Sequence, residues 1–240
     1  AVFYAFARAI DDIADNPRLS PEDKIARLDG FADATRGERV DDARYVKAHR
    51  IRASLLETHV PIRHCLDLIA AFKQDAIKSR YTDWDDLMGY CTLSASPVGR
   101  YLLDLHGEAQ DGYPASDALC NALQVLNHLQ DCKADFLSLD RVYLPGAWMA
   151  AEGATVEALR AAQSSSALRR VLDRTLDATD GLLSVARTLP DRLRNRRLAM
   201  ESAAIVEIAI RLARALRRRD PVAERVELSR LQFAVCCARG

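Results

Sequence analysis

The chain has little glycine or proline and few aromatic residues. Its 240 residues include 10 glycines and 8 prolines, and aromatic side chains make up 6% of the total. Glycine and proline weaken or interrupt regular helices, whereas the abundant alanine, leucine and arginine support them. No segment alternates apolar and polar residues for long enough to predict a sheet. The composition therefore favours an all-α protein.

The chain also lacks an excess of charge and long apolar runs. Its 34 basic and 34 acidic residues give a formal net charge of zero, so we expect no nucleic-acid partner. No apolar run reaches the roughly 18 residues that a membrane span needs, and no secretory signal is visible. The six cysteines show no C-x-x-C spacing, which predicts reduced, mostly buried thiols in a cytoplasmic protein. These cysteines are Cys65, Cys91, Cys120, Cys132, Cys236 and Cys237.

Helical periodicity and capping residues divide the chain into many helices. Pro21 in a first turn after Ser20, Thr82 paired with Asp85, and Ser116 are the clearest predicted starts. The segment LDRVYLPG is predicted to be irregular. The predicted helices span 1–15, 20–37, 41–58, a segment from Pro61, 83–106, 117–136, 155–162, 165–187 and 191–218. We interpret residues 1–240 as one domain, an antiparallel helical bundle.

Acidic residues cluster on an otherwise apolar first helix. The segment FARAIDDIADNP contains Asp11, Asp12 and Asp15, and the four-residue spacing places Asp11 and Asp15 on one face. The chain opens inside this apolar-periodic segment, so we expect further residues upstream. A solvated helix face is the alternative interpretation of one such pair, since charged residues are mostly exposed.

A second pair with the same spacing lies on the helix predicted at 117–136. In NALQVLNHLQDCKAD, polar residues follow one stripe and apolar residues cover the rest. The stripe consists of Gln124, Asn127, His128, Asp131 and Asp135. A solvent-facing stripe usually contains Lys, Glu and Arg, so short polar and acidic side chains are more typical of a cavity wall.

Two carboxylate pairs facing each other would repel and raise each other's pKa. Divalent cations remove this repulsion, and hard carboxylate oxygens suit Mg²⁺, which also binds phosphate oxygens. Such an arrangement would support metal-assisted departure of diphosphate from an allylic or cyclopropylcarbinyl carbon, in a cavity whose apolar walls keep water from the carbocation.

At these residues the chain resembles the squalene/phytoene synthases, head-to-head prenyl synthases of the isoprenoid synthase fold. FYAFARAIDDIAD (3–15) is similar to their first aspartate-rich motif, and ALQVLNHLQDCKAD (122–135) with RVYLP (141–145) is similar to their second. YCTLSASPVGRYLLDLHG (90–107) is similar to their middle helix, and the likeness continues to RRRDPVAERVELSRLQFAV. The resemblance implies an all-α bundle with a central cavity and a prenyl diphosphate substrate.

Within the family, SASPVGR (94–100) and Gln130-Asp131 resemble the hopanoid-pathway enzymes that convert presqualene diphosphate into hydroxysqualene. This likeness implies ionisation of presqualene diphosphate, rearrangement and water capture, with Mg²⁺ (Mn²⁺ as a substitute) and without NADPH. Farnesyl diphosphate is the substrate if the chain instead couples two prenyl diphosphates to presqualene diphosphate, phytoene or squalene. Other enzymes of the hopanoid pathway are candidate partners.

The resemblance also assigns roles to individual residues. Catalysis is implied for Asp11, Asp15, Asp131 and Asp135. Metal binding is implied for Asp11, Asp12, Asp15, Asn127, Asp131 and Asp135. Substrate binding is implied for Tyr4, Arg8, Gln124, Asn127, Arg141 and Tyr143. Arg8 lies one turn before Asp11, where it could meet diphosphate as a bidentate donor. Arg141 and Tyr143 are expected on a flap that closes over the phosphates.

Two differences from the family and several alternatives remain. The resemblance implies an additional N-terminal helix before residue 1, which the sequence as printed does not include, and His128 stands where relatives often have an aromatic or apolar residue. Tyr81 and Tyr90 either stabilise a cation or belong to the core.

Two other classes of function are alternatives. A non-catalytic assembly scaffold is one of them, but such a protein would be free to lose the aspartates. A di-iron bundle would require Glu-x-x-His pairs, which the acidic helices lack.

Membrane contact is the last expectation from the sequence. The basic stretch from Arg211 to Arg219 is a candidate for contact with anionic headgroups at the inner face of the membrane. A solvated helix end is the alternative.

Overall fold

The computed structural model describes residues 1–39 and 42–229, and nearly all regular structure there is helical. The α-helices are α1 (Val2–Ala14), α2 (Pro21–Arg36), α3 (Val46–Thr58), α4 (Arg63–Asp75), α5 (Trp84–Ser94), α6 (Ser96–Leu105), α7 (Tyr113–Leu139), α8 (Gly146–Glu152), α9 (Ser166–Ala186), α10 (Leu189–Arg192) and α11 (Arg196–Arg218). Short 3₁₀ turns lie at Ala43–Tyr45, Gln110–Gly112 and Val156–Arg160. The predicted all-α class is confirmed. The domain predicted at 1–240 extends beyond the described residues.

Two apolar cores organise the helices. The first lies among α1 to α4, and its fully buried side chains include Phe6, Ile10 and Leu28. The second lies around the long helix α7, which packs against α5, α6, α9 and α11. Helix α4 connects the cores, because it contacts α1 on one side and both α5 and α6 on the other. The acidic segments of α1 and α7 thus belong to different halves of the bundle.

A two-stranded parallel sheet, absent from our expectations, joins the two halves. Strand β1 (Arg80–Tyr81) pairs with strand β2 (Val142–Pro145), with a register irregularity between the two residues of β1. The segment LDRVYLPG, predicted to be irregular, contains β2, and its last residue, Gly146, begins α8. A strand of two residues is too short to produce a detectable alternation of side chains. The sheet brings the chain after α7 beside the chain after α4.

Several predicted helix boundaries were wrong. The helix predicted at 83–106 is divided at Ala95 into α5 and α6, because Pro97 in the first turn of α6 has no N–H to continue α5. Asp83, rather than Thr82, caps α5 by accepting a hydrogen bond from the Asp86 N–H at 2.9 Å. Ser116 lies buried within α7.

Further boundaries differ near the C-terminal end of the described chain. The segment predicted at 155–162 forms a 3₁₀ turn, and the one predicted at 191–218 is divided into α10 and α11, with Asn195 capping the latter. Within the described residues no helix is both long and apolar enough to span a membrane.

The described cysteines agree with the predicted reduced state. Cys65, Cys91 and Cys132 are buried free thiols, and Cys120 is a partly buried free thiol. Burial raises their thiol pKa values, to about 12 for the three buried residues and about 11 for Cys120. Such thiols are mostly protonated at neutral pH. Cys236 and Cys237 lie outside the described residues.

Candidate active site

The first acidic cluster lies on the partly exposed flank of α1. Phe6 and Ile10 bury the opposite side of the helix, which fixes the direction in which the acids point. Asp11 and Asp15 are half-buried, whereas Asp12 is more exposed. Neighbouring positions on the helix are open as well, and Tyr4 has 74% of its surface exposed.

Arg8 pairs with two of these acids. Its Nη1 lies 3.0 Å from Asp11 Oδ2, and its Nε lies 3.0 Å from Asp12 Oδ1. The guanidinium group is exposed, so the two ion pairs add little to stability and can exchange for other anions. The predicted contact of Arg8 with diphosphate remains a prediction.

The second acidic pair lies on the polar stripe of α7. The apolar residues Val125, Leu126 and Leu129 face the core, so the stripe faces away from it. Asn127 is exposed, whereas Asp131 and Asp135 are half-buried. The stripe therefore combines partly buried acids with an open amide, as expected for the wall of an open cleft.

Arg225 partners the second acidic pair and was not identified from the sequence. Its Nε lies 3.0 Å from Asp131 Oδ1, although the two residues lie on α7 and on the segment after α11. Asp131 also lines a surface groove between α7 and residues 221–225. No local spacing could connect two residues so distant in the chain. Each cluster thus has an exposed arginine at its edge, Arg8 on α1 and Arg225 beside α7.

Arg141 connects the two halves of the site. Its Nη1 donates to Asp15 Oδ1 at 2.7 Å, and its Nη2 donates to the backbone oxygens of Ala14 at 3.4 Å and Asp75 at 3.2 Å. Only 7% of the residue is exposed. Strand pairing places Arg141 here, since the Val142 N–H donates to the Ser79 oxygen at 2.9 Å.

The acids of the two helices influence one another's ionisation. Burial, the charge of Asp131 and the charge of Asp15 raise the pKa of Asp135 to about 6, while Arg141 acts in the opposite direction. Burial and the charge of Asp15 also raise the pKa of Asp11. Asp15 of α1 and Asp135 of α7 are therefore close enough to repel each other. The prediction that all four aspartates line one cavity remains a prediction.

Asp75 is a further acidic residue of the site, which the sequence analysis missed. Its carboxylate is buried at the end of α4, accepts a hydrogen bond from the Tyr90 hydroxyl at 2.9 Å, and leaves Oδ1 without a hydrogen-bond partner in the described structure. Burial raises its pKa to about 7, although Arg141 and Tyr90 favour the charged form. The sequence did indicate a buried acid here, because Asp75 follows Leu68 and Ala71 on the apolar face of α4.

Aromatic rings line the space beside Asp75. Tyr81 and Tyr90 are both buried, with ring centroids 5.4 Å apart. Tyr143 stacks on Tyr81 at 5.5 Å and lies 5.8 Å from Tyr90. Burial and the charge of Asp75 raise the pKa of the Tyr90 hydroxyl, so it stays protonated at neutral pH. Tyr81 and Tyr90 therefore belong to the core and border the site as well.

His128 stacks on the opposite face of this aromatic group. Its ring lies 3.5 Å from the Tyr143 ring at an interplanar angle of 10°, and its Nε2 is 3.1 Å from the Gln124 amide nitrogen. Burial and the charge of Arg141 lower its pKa to about 3, so the imidazole is neutral. A neutral Nε2 can accept the Gln124 N–H. Gln124 therefore orients His128, and its predicted contact with substrate remains a prediction.

Arg141 and Tyr143 do not lie on a flap, contrary to our expectation. Arg141 is buried in the centre of the site, and Tyr143 belongs to β2 between two other aromatic rings. Strand pairing and stacking hold both residues in place. A role in binding substrate would therefore be performed from a fixed position.

The donor atoms of the site fit Mg²⁺ bound by pairs of carboxylates. Within the described ranges, no three acidic, histidine or cysteine residues come together as a ready-made metal cage. Mg²⁺ does not require such a cage, because it is commonly held by one or two carboxylates and completed by water and phosphate. Burial is the main cause of the raised pKa values of Asp11 and Asp135, and neighbouring acids add to it; a bound cation would favour the charged form of both. Asp11 with Asp15, and Asp131 with Asp135, are the pairs with suitable oxygens.

Sequence comparison identifies relatives across nearly the whole chain. The sequence model of the squalene/phytoene synthase family matches residues 1–232. The hydroxysqualene synthase of Sinorhizobium fredii is 42% identical over 231 residues, which cover 96% of this chain and 78% of that protein. The hydroxysqualene synthase of Rhodopseudomonas palustris is 43% identical over 235 residues, covering 97% of this chain and 79% of that protein.

Solved structures have the same fold. The squalene synthase HpnC from Alicyclobacillus acidocaldarius superimposes with a TM-score of 0.78 at 33% identity, covering 90% of this chain and 81% of that chain. A ligand-bound dehydrosqualene synthase superimposes with a TM-score of 0.80 at 18% identity, covering 99% of this chain and 83% of that chain. The second similarity is structural only, and both assign the all-α isoprenoid synthase fold.

Proposed function

Because the chain belongs to the squalene/phytoene synthase family, we propose that it converts presqualene diphosphate and water into hydroxysqualene and diphosphate. The C–O bond to diphosphate breaks, the carbon skeleton rearranges, and a water oxygen bonds to the final cation. The proton released from that water passes to solvent or to the departed diphosphate. The atoms and electrons of this reaction balance without an electron donor, so the reaction proceeds without NADPH.

The observation that supports this proposal is the ion pair of Arg141 with Asp15, whose charge also raises the pKa of Asp135 on the other acidic helix. Burial, and after it the charges of neighbouring acids, raise the pKa values of Asp11 and Asp135, so ionising these carboxyl groups without a bound cation has an electrostatic cost. A protein that only needed to fold would gain by losing them, which argues against a purely structural scaffold. The identity of 42–43% with two hydroxysqualene synthases supports the choice of reaction.

Mg²⁺, or Mn²⁺ as a substitute, would be held by Asp11 and Asp15 on one side and by Asp131 and Asp135 on the other. Asn127 and the exposed Asp12 are additional oxygen donors at the edges of the pairs. The bound cations would neutralise the charge that develops on the leaving diphosphate.

The chain's own cations would bind the phosphates. Arg8 and Arg225 are exposed and already pair with carboxylates of the two clusters, so either guanidinium group could exchange an acid for a phosphate oxygen. Arg141 is different, because it is buried and fixed by Asp15 and two backbone oxygens. We assign Arg141 to maintaining the spacing of the two halves and to limiting the repulsion among their acids.

The aromatic group would shield and stabilise the carbocation. Tyr81, Tyr90 and Tyr143 present ring faces and edges, and ring faces attract cations. Their hydroxyl groups stay protonated, so they do not trap the cation as phenolates. His128 is the polar ring at the edge of this group, and we assign it to holding the water that captures the cation.

The decisive experiment is incubation of the full-length protein with presqualene diphosphate and Mg²⁺ in ¹⁸O-labelled water, without reductant. Mass analysis should detect hydroxysqualene containing one labelled oxygen. Addition of NADPH should not change the product. Squalene formed only with NADPH, or an unlabelled alcohol, would contradict the proposal.

Head-to-head coupling is the second candidate, and one observation favours it. The structural relative at 33% identity is called a squalene synthase, and coupling enzymes are members of the same family. Incubation with farnesyl diphosphate and Mg²⁺, without presqualene diphosphate, distinguishes the two functions. Accumulation of presqualene diphosphate would assign the chain to the coupling step, whereas recovery of unreacted farnesyl diphosphate would support water capture.

A further inference from the structure

Positive charge is concentrated in one region, although the whole chain is formally neutral. Residues 187–219 contain ten arginines and three acidic residues. This excess lies directly after α9 and along α10 and α11. The surface thus has a strongly cationic side with a defined place in the fold.

Two adjacent grooves run along this cationic side. One, of about 470 Å³, is lined by residues of α9 and α11 that include Asp180, Arg187, Arg214 and Arg217. The other, of about 440 Å³, is lined by residues that include Arg214, Arg218 and Arg219. Arg214 belongs to both, so we treat them as one furrow, the α9–α11 furrow.

Among the described residues, three guanidinium groups of the furrow have no partner. The side chains of Arg187, Arg214 and Arg218 make no ion pair or hydrogen bond to any residue in 1–39 or 42–229, and all three are exposed. Their neighbour Arg217 behaves differently, since it lies 2.8 Å from Asp177 and 2.6 Å from Asp180. The unpaired cations are therefore available for an external anion.

An exposed apolar side chain accompanies these cations on α11. Residues 196, 200, 203, 207, 211, 214 and 218 recur every three or four positions and form one outward stripe. Arginines occupy both ends of the stripe, and Met200, with 59% of its surface exposed, lies between them. Met200 thus offers exposed apolar surface near the Arg196 end of the stripe, while Glu207 in its middle is paired with Arg211.

We propose that the α9–α11 furrow docks on anionic lipid headgroups of a bilayer, with the guanidinium groups of Arg187, Arg214 and Arg218 binding lipid phosphates. Anionic leaflets attract basic residues near their surface, and the unpaired cations lose no internal partner when they bind. Because the chain has no net charge, the attraction depends on this local excess and orients the protein. The inference does not depend on the identity of the reaction.

The test is cosedimentation of the full-length protein with vesicles of phosphatidylcholine alone and of phosphatidylcholine mixed with phosphatidylglycerol. We expect binding to the mixed vesicles only, and its loss at about 0.5 M salt, where charges are strongly screened. The triple variant Arg187→Gln/Arg214→Gln/Arg218→Gln should bind roughly 100-fold more weakly, which corresponds to about 1 kcal/mol per charge.

A matched control removes three exposed cations from the other half of the bundle. Arg27→Gln/Lys47→Gln/Arg50→Gln has the same change in net charge and should keep most of the binding. Circular dichroism should show that both variants are folded. An equal loss in both triple variants, or equal binding of the wild-type protein to both kinds of vesicle, would overturn the proposal. So would unchanged binding of the furrow variant to the anionic vesicles.

Discussion

Arg141 Nη1 lies 2.7 Å from Asp15 Oδ1, although 126 residues separate the two in the chain. This ion pair joins the end of α1 to the start of β2, and so connects the two halves of the bundle. Asp75, Tyr143 and Asp15 raise the pKa of Arg141 despite its burial, so the guanidinium group remains charged. The site therefore contains one buried cation among four nearby carboxylates, those of Asp11, Asp15, Asp75 and Asp135.

Removing the buried cation should destabilise the fold. Arg141→Met leaves Asp15 and Asp75 without their compensating charge, so we expect a loss of about 3 kcal/mol in the free energy of unfolding at pH 8. Adding Asp15→Asn to this variant should recover part of the loss, because one uncompensated charge is removed. Urea denaturation of the single and double variants measures this coupling. Arg8→Met, which breaks only exposed ion pairs, should cost less than about 0.5 kcal/mol.

The metal-site assignment predicts separate effects on turnover and on folding. Asp11→Asn and Asp131→Asn should each abolish turnover of presqualene diphosphate, because each removes one carboxylate of a proposed metal-binding pair. Thermal unfolding without metal should show an unchanged or slightly raised midpoint, since like-charge repulsion is relieved. Asp111→Asn, at an exposed position outside the site, is the matched control and should leave turnover unchanged. Near-native turnover in either test variant would show that its aspartate is not a metal ligand.

The raised pKa of Asp135 predicts how stability depends on pH in the absence of metal. The folded protein holds this proton up to about pH 6, whereas the ordinary value is 3.8. The resulting stabilisation is present below about pH 4 and is lost as the pH rises through 6. Asp135→Asn should therefore be more stable than wild type at pH 8 by about 1 kcal/mol, allowing for partial solvent exposure, and equal to it near pH 4.

Urea denaturation at the two pH values, with EDTA present, measures this difference. Mg²⁺ should then stabilise the wild-type protein more than the Asp135→Asn variant, because the ion binds only the charged pair. An advantage of the variant that persists unchanged at pH 4 would show that repulsion at Asp135 is not its cause.

Local patterns in the sequence predicted the helices and the two acidic pairs. Helical periodicity and four-residue spacing are properties of neighbouring residues, so Asp11, Asp15, Asp131 and Asp135 could be placed on helix faces without a structure. The same reasoning could not predict that the helix expected at 83–106 is divided into α5 and α6. Pro97 was compatible both with the first turn of a new helix and with a kink in a continuous one.

Contacts between distant segments account for what the sequence analysis missed. The two-residue strand β1 exists only because β2 pairs with it, and that pairing moves Arg141 from an expected flap to the centre of the site. Arg225 and Asp75 join the site through residues far away in the chain. Of these two residues, only Asp75 could have been identified from its neighbours in the sequence. It is an acid on an apolar helix face, and a buried acid requires a polar or charged partner.

The position of His128 predicts how product composition should respond to substitution. Its ring lies against Tyr143 and is oriented by Gln124, at the border between the polar stripe of α7 and the aromatic group. If this ring holds the capturing water, His128→Leu should preserve ionisation and diphosphate release while lowering the fraction of hydroxylated product. The cation would then lose a proton and form an elimination product, because water is no longer positioned beside it.

Two further variants serve as controls for this prediction. His128→Gln keeps a polar group and should restore part of the alcohol, whereas His106→Leu, which replaces an exposed histidine elsewhere, should leave the product unchanged. Diphosphate release and product mass analysis, measured in the same reactions, separate the two steps. An unchanged alcohol fraction in His128→Leu would show that the water is held by another group, and a parallel fall in diphosphate release would indicate a general disturbance of the site.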